Sequence, residues 1–284
     1  MNMEKLNKYL NYIVLYLVLI LVFILVVYPL LYIFFGSFKT NSEILTGGVK
    51  LLPNKFISDN YKQAWKLANF DTYTLNSLYM TFFIIIGVLL NSTMGGYVFA
   101  RGKFPGKNLL FLIFTSSMFI ALGSMILYPQ VMIAKFFHIN KGLLGVIIIR
   151  IFSLNVANLY IVRSFMMSVP KELDEAATID GCSFFRIYWN IVLPLLKPII
   201  ATIGLITFKQ AWNDYLLPLV FTLSDKKQWP LVVGVVSLRS TGEAASSWNL
   251  MLAGTMISII PMLVVYLILN QYFISGLTSG AVKA

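Results

Sequence analysis

The sequence predicts an all-α polytopic membrane protein: six transmembrane helices with a polar helical insert between the fourth and fifth. Three observations carry this. Hydrophobic residues make up 58% of the 284 positions and the mean hydropathy is +0.81, far above a soluble domain. Six apolar runs recur along the chain, each long enough to cross a bilayer as a helix. Between the last two pairs of runs lies a stretch, Ser168 to Pro198, that carries four of the 11 acidic residues, Glu172, Asp174, Glu175 and Asp180.

The first run is Tyr12 to Phe35. It is too long for a signal-peptide core and no small-residue cleavage site follows, so it reads as a retained anchor. Pro29 predicts a kink near one end. Gly36 to Thr74 is polar, with five lysines and Pro53, and a short helix is expected near Ile57 to Leu67. The second run is Ser77 to Phe99, where Asn91, Ser92, Gly95 and Gly96 favour close helix packing and interhelical hydrogen bonds. A short basic loop, Arg101 to Lys107, separates it from the third run, Leu109 to Ala134. The fourth is Leu143 to Phe165, the fifth Leu195 to Phe221 and the sixth Met251 to Phe273, with a polar loop over Ser224 to Asn249.

The insert reads as two short helices and a turn. Pro170 suits a first helical position, and three carboxylates near the first turn complement the helix dipole. Leu173, Ala176, Ala177 and Asp180 recur at three- and four-residue spacing, which places them on one face. Gly181 stands where a helix ends on a left-handed residue. Ser183 is placed to cap a second helix over Phe184 to Leu193. Domain boundaries follow: 1–75 for the anchor and an extracellular loop, 76–274 for the transmembrane core with its loop 168–198, and 275–284 for a tail.

The net charge is +11. The basic residues lie mostly in loops between apolar runs, which suits anionic lipid and topology, and nothing resembles a basic nucleic-acid-binding module. Six spans put both termini and the insert on one side. Lys and Arg divide evenly between the two sides, and the dense loop Arg101 to Lys107 tips the balance toward a cytosolic terminus side. Cys182 is the single cysteine and His138 the single histidine, so no intrachain disulfide or His/Cys metal site is expected. No G-x-x-x-x-G-K-[ST] phosphate loop, His-Glu-x-x-His helix or G-x-S-x-G elbow occurs, which excludes ATP hydrolysis or intramembrane hydrolysis by those motifs.

The spacing Glu175-Ala176-Ala177, three residues, Gly181, nine residues, Ile191, one residue, Leu193-Pro194 matches the EAA-loop motif of ABC-importer permeases without a gap. Those fixed positions recur by chance with a probability on the order of 10⁻⁸ per starting position. The likeness extends over nearly the whole chain and most resembles the second permease subunit of maltose-type carbohydrate importers. Ser37-Phe38-Lys39, Tyr97-Val98-Phe99-Ala100-Arg101, Trp212-Asn213-Asp214 with Pro218, and the tail Gly276 to Lys283 carry it. The chain departs from the pattern at Cys182, where family members often have Ala, and at Ala284, where they usually end in Gly.

The resemblance implies a heterodimer with a second permease subunit, two cytosolic ATPase subunits and an extracellular solute-binding protein, in a bacterial cell membrane with both termini cytosolic. It implies that no cofactor is bound by this chain, ATP and Mg²⁺ belonging to the partner ATPases. The motif helix would dock in an ATPase cleft and the tail would reach the ATPase pair. The coupling residues on this reading are Leu173, Glu175, Ala176, Ala177, Asp180, Gly181 and Phe184, with Gly280, Val282 and Lys283 of the tail. The first span would lie against the partner permease.

A full population swing needs about 5.5 kcal/mol of differential binding, and burying a large apolar side chain is worth about 1.5–3 kcal/mol. Leu173, Ile179, Phe184 and Phe185 therefore suffice to grip a partner, with Glu175 or Asp180 adding a charge-assisted bond. Intramembrane polar groups usually face an interior or an aqueous path. The candidates for the solute path are Arg150, Asn155 and Asn158 on the fourth span and Lys209, Trp212, Asn213 and Asp214 on the fifth. Each also reads as interhelical packing, and Lys209–Asp214 as an ion pair. The alternatives are an importer of a non-sugar solute, an ion-coupled secondary transporter, which predicts internal repeats that are not evident, and a membrane anchor or sensor.

Overall fold

The computed structural model describes residues 3–48, 50–153, 155–240 and 247–281, and every regular element among them is helical. The helices are α1 (Met3–Gly36), α2 (Asn41–Thr46), α3 (Asp59–Leu67), α4 (Phe70–Arg101), α5 (Lys107–Ser117), α6 (Leu127–Phe136), α7 (Gly142–Phe152), α8 (Val156–Ser168), α9 (Glu172–Ile179), α10 (Phe184–Ile187), α11 (Leu193–Leu195), α12 (Lys197–Trp212), α13 (Leu216–Phe221), α14 (Leu231–Ser237) and α15 (Trp248–Ala281). Among the described residues three helices are long and apolar enough to cross a membrane, or five if each of two bent pairs counts as one span.

The chain divides into two compact units, residues 1–70 with 234–259, and residues 71–233 with 260–284. In the first, α1 runs unbroken through Pro29, and its apolar surface is exposed along its length. The segment after it is tied down by a buried amide. Asn60 Nδ2 donates to the carbonyls of Ser37 (2.8 Å) and Lys39 (2.9 Å), and Asn249 Nδ2 donates to Asn60 Oδ1 (2.9 Å). The buried Lys39 ammonium donates to the Lys50 carbonyl, so its charge is solvated by backbone. The helix expected over 57–67 is α3.

In the second unit, α4 is the long element around which two apolar cores assemble. Met80, Ile84 and Val88 pack with residues of α6, α7, α12 and α13. Tyr97 packs with Val162 and Met166 of α8, Ala177 of α9, and the run from Ile187 to Ile203. Small residues allow the approach. A Cβ added to Gly96 would lie 2.5 Å from Val162, and one added to Gly87 would lie 2.4 Å from Ile151. Asn91 Nδ2 then reaches the Ile151 carbonyl at 2.8 Å.

The expected spans are less continuous than their apolar runs. The third, Leu109 to Ala134, divides into α5 and α6, with Gly123 at φ +53° opening a 3₁₀ turn between them. The fourth divides into α7 and α8, because Asn155 caps a new helix by accepting from the Asn158 N–H at 3.4 Å. Before the fifth span, Phe184–Leu195 and Lys197–Trp212 meet at 79°. The span itself stops at Trp212 and resumes as α13. The expected loop 224–249 contains α14.

Candidate functional site

The elbow between α8 and α12 forms as its residues dictate. Pro170 is not the first helical residue: Lys171 is the N-cap of α9 and Glu172 begins it, with the Lys171 carbonyl accepting from the N–H groups of Asp174 (3.0 Å) and Glu175 (3.1 Å). The helix closes where Asp180 N–H donates to Ala176 O (3.0 Å) and Cys182 N–H to Ala177 O (2.9 Å). Between them Gly181 sits at φ +79°, a left-handed position with nothing within 4 Å of where a Cβ would be. Ser183 Oγ accepts from Arg186 N–H at 3.4 Å to start α10. The second helix is regular only to Ile187, and a π turn over Tyr188–Val192 carries it to Pro194, which has no N–H to give.

The face of α9 divides differently from the spacing argument. Ala177 is buried, whereas Leu173, Glu175, Ala176, Asp180 and Gly181 are exposed. Asp174, at the i−3 position from Ala177, turns inward instead. Its carboxylate accepts from Arg101 Nε at 2.6 Å and from the Tyr97 hydroxyl at 3.3 Å. Arg101 Nη2 also donates to the Val169 carbonyl at 2.6 Å. Phe184 stacks on Tyr97 with centroids 4.5 Å apart yet remains 39% exposed. Ile179 is 86% and Phe185 62% exposed, so the elbow presents apolar surface outward. The buried Tyr188 hydroxyl hydrogen-bonds Thr93 at 2.8 Å. Burial pushes its phenol above the ordinary value, against a smaller downward pull from Thr93. In the basic loop, burial and then the charges of Arg163, Lys171 and Arg101 hold the Lys107 ammonium below its usual value. Its Nζ donates to the carbonyls of Gly102 (2.9 Å) and Ala100 (3.3 Å).

The same unit carries an open cavity of about 980 Å³. Its wall takes Ile84 and Val88 from α4, Gln130 from α6, Arg150 from α7, Ser153 and Asn155 from the break before α8, and Thr207, Gln210, Asn213 and Asp214 from α12 and its end. Arg150 Nε and Nη2 both reach Asp214 Oδ2, at 2.7 and 2.6 Å, with the Arg150 side chain 35% exposed and that of Asp214 8%. Asn155 Nδ2 donates to Gln210 Oε1 (3.4 Å) and Gln130 Nε2 to Ser153 Oγ (3.5 Å). The charged groups on this wall, one guanidinium and one carboxylate, neutralise each other, and the remaining polar lining is amide and hydroxyl. Such a surface offers both donors and acceptors.

Of the solute-path candidates, Arg150, Asn155, Asn213 and Asp214 come together here. Asn158 lies behind the wall, its Nδ2 donating to Thr207 Oγ1 at 3.4 Å. Lys209 is exposed on α12 away from the cavity, and Asp214 pairs with Arg150. Trp212 is 1% exposed and stacks on Phe208, centroids 5.5 Å apart. Gln130, Ser153 and Gln210 line the cavity and were not singled out by sequence reasoning. Gln210 had a signal: with Thr207, Asn213 and Asp214 it shares one helical stripe, which Lys209 and Trp212 do not. Of the tail candidates, Gly280 falls in the last turns of α15, while Val282 and Lys283 lie outside the described residues.

The profile of the family described as binding-protein-dependent transport system inner membrane component matches residues 3–279. The chain is 33% identical over 256 residues to the probable starch degradation products transport system permease protein AmyC of Thermoanaerobacterium thermosulfurigenes, covering 90% of this chain and 91% of that one. It is 30% identical over 260 residues to the sn-glycerol-3-phosphate transport system permease protein UgpE of Yersinia pestis (89% and 91%). The arabinooligosaccharides transport system permease protein AraQ of Halalkalibacterium halodurans is 29% identical over 260 residues (90% and 91%). In fold the chain is similar to one from a crystal structure of a bacterial ABC transporter involved in import of the acidic polysaccharide alginate, with a TM-score of 0.78 and 24% identity, over 94% of this chain and 98% of that one.

Proposed function

From the premise that this chain belongs to the binding-protein-dependent transport system inner membrane components, a membrane-embedded permease and not an enzyme, we propose that it forms half of the path for an uncharged oligosaccharide and transmits the stroke of a cytosolic ATPase to that path. It works beside a second permease, two ATPase subunits that hold the ATP and Mg²⁺, and an extracellular solute-binding protein. Its apolar runs make six crossings, the third to fifth interrupted, with both termini and the elbow in the cytosol. The exposed α1 lies against the second permease, and the tail from Gly280 through Lys283 touches the ATPase pair.

The observation that carries this reading is the elbow's outward surface. Leu173, Ile179, Phe184 and Phe185 stand exposed on a polar insert between apolar runs, and exposed apolar patches rimmed by charge mark interaction sites. Covering Ile179 and Phe185 alone is worth roughly 3–6 kcal/mol at about 1.5–3 kcal/mol each, enough to hold a partner through a working cycle. Glu175 and Asp180 on the rim supply charge-assisted contacts.

One relative is named for arabinooligosaccharides and another, as probable, for starch degradation products, and the cavity suits an oligosaccharide cargo. Amides and hydroxyls match sugar hydroxyls, and Arg150, already neutralised by Asp214, offers an anion no free cation. The relative named for glycerol phosphate marks the competing cargo class. The test is reconstitution of the four-component complex with its cognate binding protein, followed by ATPase stimulation and vanadate-sensitive uptake. Neutral malto- and arabino-oligosaccharides are set against glycerol 3-phosphate and a uronic-acid oligomer. Stimulation by neutral sugars alone is expected. Stimulation only by the anions overturns the cargo assignment, and uptake that proceeds without ATP overturns the permease mechanism.

A further inference from the structure

We infer that α4 is the rod that carries the elbow's movement to the cavity, and that Arg101 is the positioning residue that pins the elbow to it. The inference rests on the elbow reading above and adds the route by which force leaves the elbow.

The elbow is joined by the chain to α8 and α12, yet both of those routes are interrupted. The helical segment from Phe184 meets α12 at 79°, and α8, whose first residues line the cavity, leads into α9 only through the non-helical Val169–Lys171. By contrast α4 runs without proline or break from Phe70 to Arg101. Three residues on one of its stripes, Thr93, Tyr97 and Arg101, are spaced four apart and so lie on a common face. All three touch the elbow: Thr93 through the Tyr188 hydroxyl, Tyr97 through Phe184 and Asp174, and Arg101 through Asp174.

Arg101 makes the firmest of these contacts. Its guanidinium donates through Nε to the Asp174 carboxylate in the first turn of α9 and through Nη2 to the Val169 carbonyl just before that helix, both at 2.6 Å. The two side chains are only 7% and 17% exposed. A planar fork that grips a helix and its lead-in at once fixes direction as well as distance, which a lysine ammonium does not do.

The far part of the same helix meets the cavity. Ile84 and Val88 form part of its wall. Asn91 holds the Ile151 carbonyl at 2.8 Å, next to the Arg150 that closes the ion pair with Asp214. From Arg101 to Val88 the rod is roughly 20 Å long at 1.5 Å per residue. A tilt imposed at its elbow end therefore moves the wall without bending any intervening joint.

The test uses the complete reconstituted transporter, with Cys182→Ser and spin labels on Glu172→Cys and Phe82→Cys, both exposed positions. The label-to-label distance is measured with and without ATP. It is expected to stay narrow and to change by no more than about 2 Å, the scale of a packed-helix shift. A change of several ångströms, with the elbow sliding along α4, overturns the inference even if no variant assembles. Asp174→Asn and Arg101→Lys should keep the ATPase subunits bound and hydrolysing while solute moved per ATP falls about tenfold or more, the equivalent of one charge-assisted hydrogen bond. Asp174→Glu, which keeps a carboxylate for the Arg101 guanidinium and leaves its bond to the Val169 carbonyl in place, should retain much of that ratio, as loss of fold alone would not. An unchanged ratio in Asp174→Asn overturns the inference. Failure of the underlying elbow reading shows elsewhere: Ile179→Asp would then leave ATPase binding unaltered.

Discussion

Substituting Gly181 separates two costs that usually arrive together. Its φ of +79° is a conformation that an L-residue adopts at about 1–2 kcal/mol, and an added Cβ there meets nothing within 4 Å. Within this chain, then, Gly181→Ala and Gly181→Leu should lose the same amount, about 1–2 kcal/mol and purely conformational. Gly181→Asn should lose less, since Asn tolerates the left-handed region through local hydrogen bonding. Thermal unfolding of the permease pair purified without its ATPases measures this term by itself. If, as proposed, the exposed turn docks on the ATPase in the full complex, side-chain size matters there as well. Solute carried per ATP should fall modestly for Ala and much further for Leu, the difference between them being the steric term. A Leu variant clearly less stable than Ala in the ATPase-free pair would refute the open-space geometry. Equal coupling by Leu and glycine in the full complex would refute docking at this turn.

Other perturbations have equally definite outcomes. Gly96→Ala brings a Cβ to 2.5 Å from Val162 and 3.1 Å from the Arg163 backbone nitrogen, so about 1–3 kcal/mol of overpacking should appear as a lower melting temperature, whereas Gly204→Ala, with nothing within 4 Å, should be neutral or slightly stabilising. Thr93→Val keeps shape but strips the 2.8 Å partner from the buried Tyr188 hydroxyl, a loss of about 1–3 kcal/mol readable in the same melt. Arg150→Gln leaves the Asp214 carboxylate mostly buried without its cation and should abolish uptake, while Arg150→Gln with Asp214→Asn should restore part of it, because removing both charges removes the desolvation penalty. Lys107 has its pKa lowered below 10.5 by burial and neighbouring cations. The folded state thus binds fewer protons than the unfolded in the window beneath 10.5, and stability should rise with pH there. Lys107→Gln should flatten that rise in melts taken across the window.

The fold was legible where composition alone decides. A run such as Tyr12 to Phe35 has no alternative to a long apolar helix, and α1 spans it. The interruptions were not legible as such, because apolar residues continue straight through them. Asn155 reads equally as a polar residue inside a span or as the cap of a new helix. Only its bond to the Asn158 N–H, made when the chain turns, distinguishes the two. Gly123 is similar: in an apolar run a glycine costs a helix about 1 kcal/mol, too little to announce a break, yet at φ +53° it is one.

The elbow shows the same division more sharply. Gly181 and Ser183 could be assigned from local rules because their partners lie within a few residues. Asp174 and Glu175 could not be told apart that way, since both suit the first turn of a helix and both suit its dipole. What separates them is a guanidinium 73 positions earlier, and no local pattern encodes such a pairing. The spacing argument put Ala177 on the same face as Leu173 and Asp180, but Ala177 packs inward beside the Asp174 held by Arg101, while Leu173 in the first turn is 44% exposed and Asp180 lies past the last helical residue as the C-cap. The motif therefore specifies a helix and its stop, while a long-range ion pair chooses which side of that helix a partner can reach. If that is right, Asp174→Asn should alter the accessibility of Ala177 more than that of Ile179, and cysteine labelling at those two positions in a Cys182→Ser background measures it directly.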